Sequence, residues 1–183
     1  MLRLISISQR RFATTCQYTC LTNRYLYSIQ GPDAFKLLQG LVTNQMTLLG
    51  EPKDSASNMI YAAFLSPTGR ILFDSFLYRF DTIEPYNYIL DIDVRLESAF
   101  TTHMKRYILR SKIEMKKLSD KQVWQAWGLE EEMSGLEVES GSLLFKDPRH
   151  HSLGYRFIQP KNNIRTFCLI KQILLAFTMV HST

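Results

Sequence analysis

The chain has 183 residues, 45% hydrophobic and 21% charged, with a net charge of +5. This is the balance of a soluble globular domain, and about 140 residues remain for one core once the ends are set aside. The positive charge does not make a nucleic-acid surface: the one dense basic run, Lys105, Arg106, Arg110, Lys112, Lys116 and Lys117, is interrupted by Glu114 and reads as a solvated face.

The first acidic residue is Asp33, and Arg3, Arg10, Arg11 and Arg24 precede it among serines and threonines. If residues 2–11 are helical, Leu2 and Ile5 lie opposite the arginines. This is the pattern of a mitochondrial presequence, with a cut expected near Arg11-Phe12-Ala13. The expected division is a presequence over 1–20, a domain over 21–160 and a divergent apolar tail over 161–183. The tail, Ile164 to Val180, lacks helical periodicity and is broken by Arg165 and Lys171. A lysine near the centre of a span costs about 2.5–3.5 kcal/mol on insertion, so no membrane span is expected. The three cysteines, Cys16, Cys20 and Cys168, form no disulfide framework and no metal-ligand set.

In chain order, Gly31-Pro32-Asp33 opens a helix, with Pro at its first position and Asp at the positive end of its dipole. Phe35, Leu38, Leu41 and Val42 share its apolar face, and Thr43-Asn44 is the exit turn. Residues 52–58 read as a polar loop. Then two apolar strands flank the turn Ser66-Pro67-Thr68-Gly69, where Pro second and Gly fourth suit a type I turn. Tyr86 to Ile92 is a third strand, and Asp93 is the N-cap of a second helix striped by Leu96, Phe100, Met104 and Tyr107. Leu109 to Leu118 alternates as a half-solvated strand, with Arg110 and Lys112 pointing the same way. Val123 to Gly128 continues the sheet, residues 130–139 form an acidic loop, and Leu143 to Phe145 and Gly154 to Ile158 are the last strands. The expected class is α+β, an antiparallel sheet with hairpins and two main helices.

Asp74 stands out. It is a lone carboxylate in the second hairpin strand, on the face of Leu72, Phe76, Tyr78 and Phe80. Such a carboxylate is hydrogen-bonded, paired or used, because burying it bare costs several kcal/mol (roughly). Pairing with Arg70 or Arg79 is the structural alternative. Asn44 caps local backbone or lines a site, and Asp91 and Asp93 end a strand where ligand-facing side chains often sit. His103 reads as core-edge, and the adjacent His150 and His151 lack a further ligand for a metal.

Four blocks carry a resemblance. They are Gly31-Pro32-Asp33-Ala34-Phe35 with Leu38 to Asn44; Ala63 to Ile71 with Asp74; Tyr88 to Asp93 with His103 to Glu114; and Asp147-Pro148-Arg149 with Leu153-Gly154-Tyr155-Arg156. Together they resemble the folate-binding YgfZ-type family, relatives of the glycine cleavage T-protein, over about residues 25–160. With a presequence, the resemblance implies a mitochondrial matrix factor assisting the maturation of four-iron iron–sulfur proteins. It implies A-type iron–sulfur carriers and recipient four-iron enzymes as partners, and a tetrahydrofolate pocket lined by Asp74, Asn44, Asp91 and Arg110. Arg110 and Lys112 would meet the glutamate tail, with a plain solvent face as their alternative, and Asp74 would meet the pterin ring. The alternatives are a folate-dependent aminomethyl-type transferase and an inactive truncated isoform. Asp91-Ile92-Asp93 stands where T-protein relatives carry Asn-Ala, which favours the assembly factor. The family signature K-G-C-x-x-G-Q-E does not follow Arg156, and Cys168 has none of its neighbours.

Overall fold

The structure, a computed structural model, describes residues 17–49, 58–79, 88–127 and 143–161. The expected presequence up to residue 16, most of the polar loop, the acidic loop and the tail from 162 onward lie outside the described residues, as does Phe80.

The strands are β1 (Gln17–Cys20), β2 (Arg24–Gln30), β3 (Met59–Leu65), β4 (Ile71–Arg79), β5 (Tyr88–Asp93), β6 (Glu114–Lys117), β7 (Lys121–Trp127), β8 (Leu143–Lys146) and β9 (Tyr155–Pro160). The helices are α1 (Ala34–Leu41) and α2 (Glu97–Ile108). The expected antiparallel α+β class holds, but the strands make two sheets rather than one. Five strands run in the order β3-β4-β5-β2-β6 and four in the order β1-β7-β9-β8. The Val123 strand, expected to continue the first sheet, belongs to the second.

Each face of the five-stranded sheet has its own cover. Tyr27, Ile29, Phe64, Phe73, Leu90 and Ile92 point one way and pack with Leu38 and Leu41 of α1 and Phe100 and Met104 of α2. Leu26, Met59, Phe76, Tyr78 and Ile89 point the other way, onto Val123, Phe145 and Ile158 of the four-stranded sheet. Alternation along a strand, with period two, sends successive residues into the two layers.

The β3–β4 hairpin closes as its turn residues dictate. Gly69 N–H donates to the Ser66 carbonyl at 2.9 Å, and Gly69 takes a φ of +78°. α1 begins at Ala34, two residues past the Pro32 expected first, and Asp33 stands at its N-cap without a side-chain cap bond. Its Oδ2 instead accepts the Lys112 N–H at 2.8 Å, pinning the helix start to the segment before β6. Gly31 allows that approach, since a Cβ there would stand 2.1 Å from the Lys112 carbonyl oxygen. Asp93 does cap, accepting Arg95 N–H at 2.9 Å at a 3₁₀ turn that leads into α2.

Two local readings change. β2 lies inside the five-stranded sheet, between β5 and β6, although no strand was expected there. Its residues from Leu26 to Ile29 are buried on both faces, which erases the alternation a half-solvated strand shows. The strand expected over Leu109–Leu118 shrinks to Glu114–Lys117, because α2 runs on to Ile108 and a turn closed by Ser111 N–H to Ile108 O follows. Gln17–Cys20, inside the stretch read as 1–20, pairs with Trp124–Trp127.

Candidate functional site

The polar groups of the molecule converge between the two sheets, at the β3–β4 hairpin end. Asp91 of β5 lies opposite Leu26 and Phe76 in the ladders and has no exposed surface. Its Oδ1 accepts Arg24 Nε at 2.5 Å, and its Oδ2 accepts Arg156 Nη2 at 2.5 Å and the Tyr78 hydroxyl at 3.1 Å. Its carbonyl takes Arg24 Nη2 at 2.7 Å and the Ser75 hydroxyl at 3.0 Å. An ion buried without partners costs several kcal/mol, so this carboxylate persists only because two guanidiniums and a phenol satisfy it.

Arg156, on β9, carries the network into the second sheet. Its Nε donates to the Tyr78 oxygen at 3.1 Å and its Nη1 to Gln125 Oε1 at 3.0 Å. Gln125 Nε2 in turn donates to the Leu153 carbonyl at 2.6 Å and to Asp147 Oδ2 at 3.3 Å. Asp147 grips Arg149 in a two-pronged pair, Nε at 3.0 Å and Nη2 at 2.7 Å. The loop that presents them is closed by Gly154 at φ +71°, where a Cβ would stand 2.1 Å from the Ala126 carbonyl oxygen.

Phe76 is the hub. The guanidinium carbons of Arg156, Arg149 and Arg24 stand 3.9, 4.8 and 5.9 Å from its ring centroid, within the range where a ring quadrupole attracts a cation. Tyr61, opposite Phe76 in the β3–β4 ladder, packs on it at 4.9 Å and lies under Arg149 at 5.8 Å. The Tyr61 hydroxyl donates to Asp74 Oδ2 at 2.9 Å.

Burial pushes the Tyr78 hydroxyl far above its ordinary value, helped by the Asp91 charge, which keeps it a donor. Burial pushes the Asp147 carboxyl up, but hydrogen bonds from Arg149 and Gln125 prevail and hold it below its usual range. Burial opposes the charge on Arg156, yet Tyr78 and Asp91 hold its guanidinium above its ordinary value. Burial and then the Asp74 hydrogen bond push the Tyr61 hydroxyl up.

The four residues singled out in the sequence stand in different settings. Asp74 is half-buried rather than buried, and Tyr61, not Arg70 or Arg79, is its side-chain partner among the described residues. Asn44 is spent on backbone: its Oδ1 accepts Gln45 N–H at 2.9 Å and its Nδ2 donates to the Tyr61 carbonyl at 3.2 Å, on the outer edge of β3, which Val42 and Thr43 also pair with. Asp91 forms the closed centre of the cluster and offers no face to a ligand in this conformation. Arg110 is exposed in the turn after α2. Arg24, Tyr78, Gln125, Arg149, Arg156 and Tyr61 were not singled out from the sequence as site residues. Arg24 was counted among the arginines that precede the first acidic residue; the others were visible only as members of strands or motif blocks. No three His, Cys, Asp or Glu side chains among the described residues are grouped to hold a metal ion. No described helix is long and apolar enough to cross a membrane.

No family model matches the chain. Among curated proteins it is 33% identical over 154 residues to the mitochondrial iron–sulfur cluster assembly factor IBA57 homolog of Pyricularia oryzae, covering 83% of this chain and 38% of that protein. It is 34% identical over 160 residues to the Mycosarcoma maydis homolog, covering 82% and 38%. With the Mus musculus protein it shares 32% over 153 residues, covering 77% and 43%. The chain is similar in sequence to the IBA57 factors. It spans less than half the length of those it matches. Aminomethyltransferase T of the glycine cleavage system from Bartonella henselae superposes with a TM-score of 0.66 at 15% identity, over 89% of this chain and 46% of that one. The fold is therefore T-protein-like, and the IBA57 relatives supply the sequence kinship.

Proposed function

We propose that this chain serves the maturation of four-iron iron–sulfur proteins in the mitochondrial matrix, through protein contacts rather than turnover. The observation that carries the reading is its 32–34% identity to proteins named as mitochondrial iron–sulfur cluster assembly factors from two fungi and a mouse. A-type iron–sulfur carriers would be its upstream partners, and aconitase and lipoate synthase its recipients. Depletion in the source organism lowers aconitase activity and protein lipoylation together on this reading. Normal levels of both reject it.

The same reading includes a tetrahydrofolate-type site on the Asp74 face. Its support is the T-protein-like fold together with a half-buried carboxylate that has one oxygen engaged and one open. A pterin presents amino and ring N–H donors, which a carboxylate accepts well. Asp91 and its arginines would then brace the wall behind Asp74, while Asn44 would secure the β3 edge beside it. Arg110, exposed beyond α2, remains a candidate for the glutamate tail. The aminomethyltransferase fold favours a second reading, a folate-dependent one-carbon transferase. A glycine-cleavage assay with the purified chain separates the two: turnover favours the transferase and its absence the assembly factor.

A further inference from the structure

The ring of Tyr61 is held on three sides. Phe76 packs on it at a centroid distance of 4.9 Å, the Arg149 guanidinium lies 5.8 Å over it, and its hydroxyl meets Asp74 at 2.9 Å. Arg149 is in turn fixed by the two-pronged pair with Asp147, whose carboxyl is buried. The residue directly across the ladder from Asp74 is Ala63, which is too short to restrain it. Tyr61, one diagonal step away on the same face, is the residue that reaches the carboxylate. Tyr61 nevertheless remains 37% exposed, so the pair stands at the surface and not in the core.

We propose that Tyr61 is a positioning residue for ligand binding: its hydroxyl fixes the plane of the Asp74 carboxylate and leaves Oδ1 as the open acceptor. The ligand class is a flat heterocycle with adjacent N–H donors on one edge. This rests on the folate reading above, and it adds that the affinity of Asp74 depends on a phenol the sequence did not mark. A carboxylate free to rotate must be immobilised by the ligand itself, which costs affinity; one already locked does not. The three contacts on the ring, two from β4 and one from the loop after β8, hold the phenol at the carboxylate.

The test is a double-mutant cycle read by equilibrium binding of tetrahydrofolate to the full chain, with the urea midpoint of each variant measured alongside. Tyr61→Phe keeps the ring and its contacts with Phe76 and Arg149 and removes only the donor. It is expected to weaken binding about fivefold to tenfold, the net size of an ordinary hydrogen bond. In the Asp74→Asn background the same change is expected to weaken binding less than twofold, because its effect passes through the carboxylate. Equal weakening in both backgrounds, or none in either, overturns the positioning role while leaving the folate reading intact. A wild-type chain that binds no tetrahydrofolate overturns both.

Discussion

The two faces of the five-stranded sheet are covered in opposite ways. Against α1 and α2 the sheet presents aliphatic and aromatic side chains, and the contacts are apolar almost throughout. Against the four-stranded sheet it presents a shorter apolar patch and then a polar cluster, in which Asp91, Arg24, Arg156 and Tyr78 saturate one another out of water. The helical face holds the domain together by area removed from water. The inter-sheet face sets the angle and register of one sheet on the other by directed bonds, and it ends at the surface in Tyr61 and Asp74.

The sharpest way to break this comparison is to remove the centre of the polar face. Asp91→Ala leaves two buried guanidiniums without their acceptor and is expected to cost about 3–5 kcal/mol in urea unfolding. A cost under about 1 kcal/mol would mean that the cluster does not hold the sheets. On the adjacent position of the same strand, facing the helices, Leu90→Ala is expected to cost about 3 kcal/mol through lost burial and a residual cavity. The two variants differ in kind. High salt leaves the Leu90→Ala deficit unchanged, whereas the Asp91→Ala deficit shifts because an unpaired cation remains.

A smaller effect sits at the end of β5. The bonds from Arg95 hold the Asp93 carboxyl at about 2, below the 3.8 of an unperturbed aspartate. A carboxyl whose folded value is depressed stabilises above its unfolded value, so this contribution is full above about pH 4 and fades as pH falls towards 2. Asp93→Ala is expected to cost roughly 1 kcal/mol at neutral pH, and the gap from wild type to close on acidification through that window. A gap that stays constant down to pH 2 would deny the capping role. Smallest is the pair on the helical side: Lys117 Nζ donates to Glu97 Oε1 at 2.5 Å, with both side chains about a third exposed. Lys117→Ala is expected to cost about 0.5 kcal/mol, measured by the same urea titration.

The same contrast explains what could be read from the sequence. The helical face was legible because its pattern is local: Phe100 and Met104 recur at helical spacing, and the Ser66–Gly69 turn names itself by residue type. The polar face was not, because its partners lie far apart in the chain. Arg24 and Asp91 are 67 positions apart, and Asp91 and Arg156 are 65. No periodicity links them, and Arg24 reads as the last of the arginines before the first acidic residue. β2 was hidden for a related reason, since a strand covered on both sides loses its alternation. The Asp147-Pro148-Arg149 and Leu153-to-Arg156 blocks were recognisable as motifs, yet their shared purpose, placing two guanidiniums on Phe76, became visible only when the sheets were stacked.

Central to the account is the division of labour between two aspartates, one sealed inside the cluster and one open at its rim. Equilibrium binding of tetrahydrofolate to wild type and to Asp74→Asn, each paired with a urea midpoint, tests it most directly. The account predicts at least a tenfold loss of affinity with stability nearly unchanged. Unchanged affinity in the Asp74→Asn chain, or a collapse of its stability like that of Asp91→Ala, would contradict it.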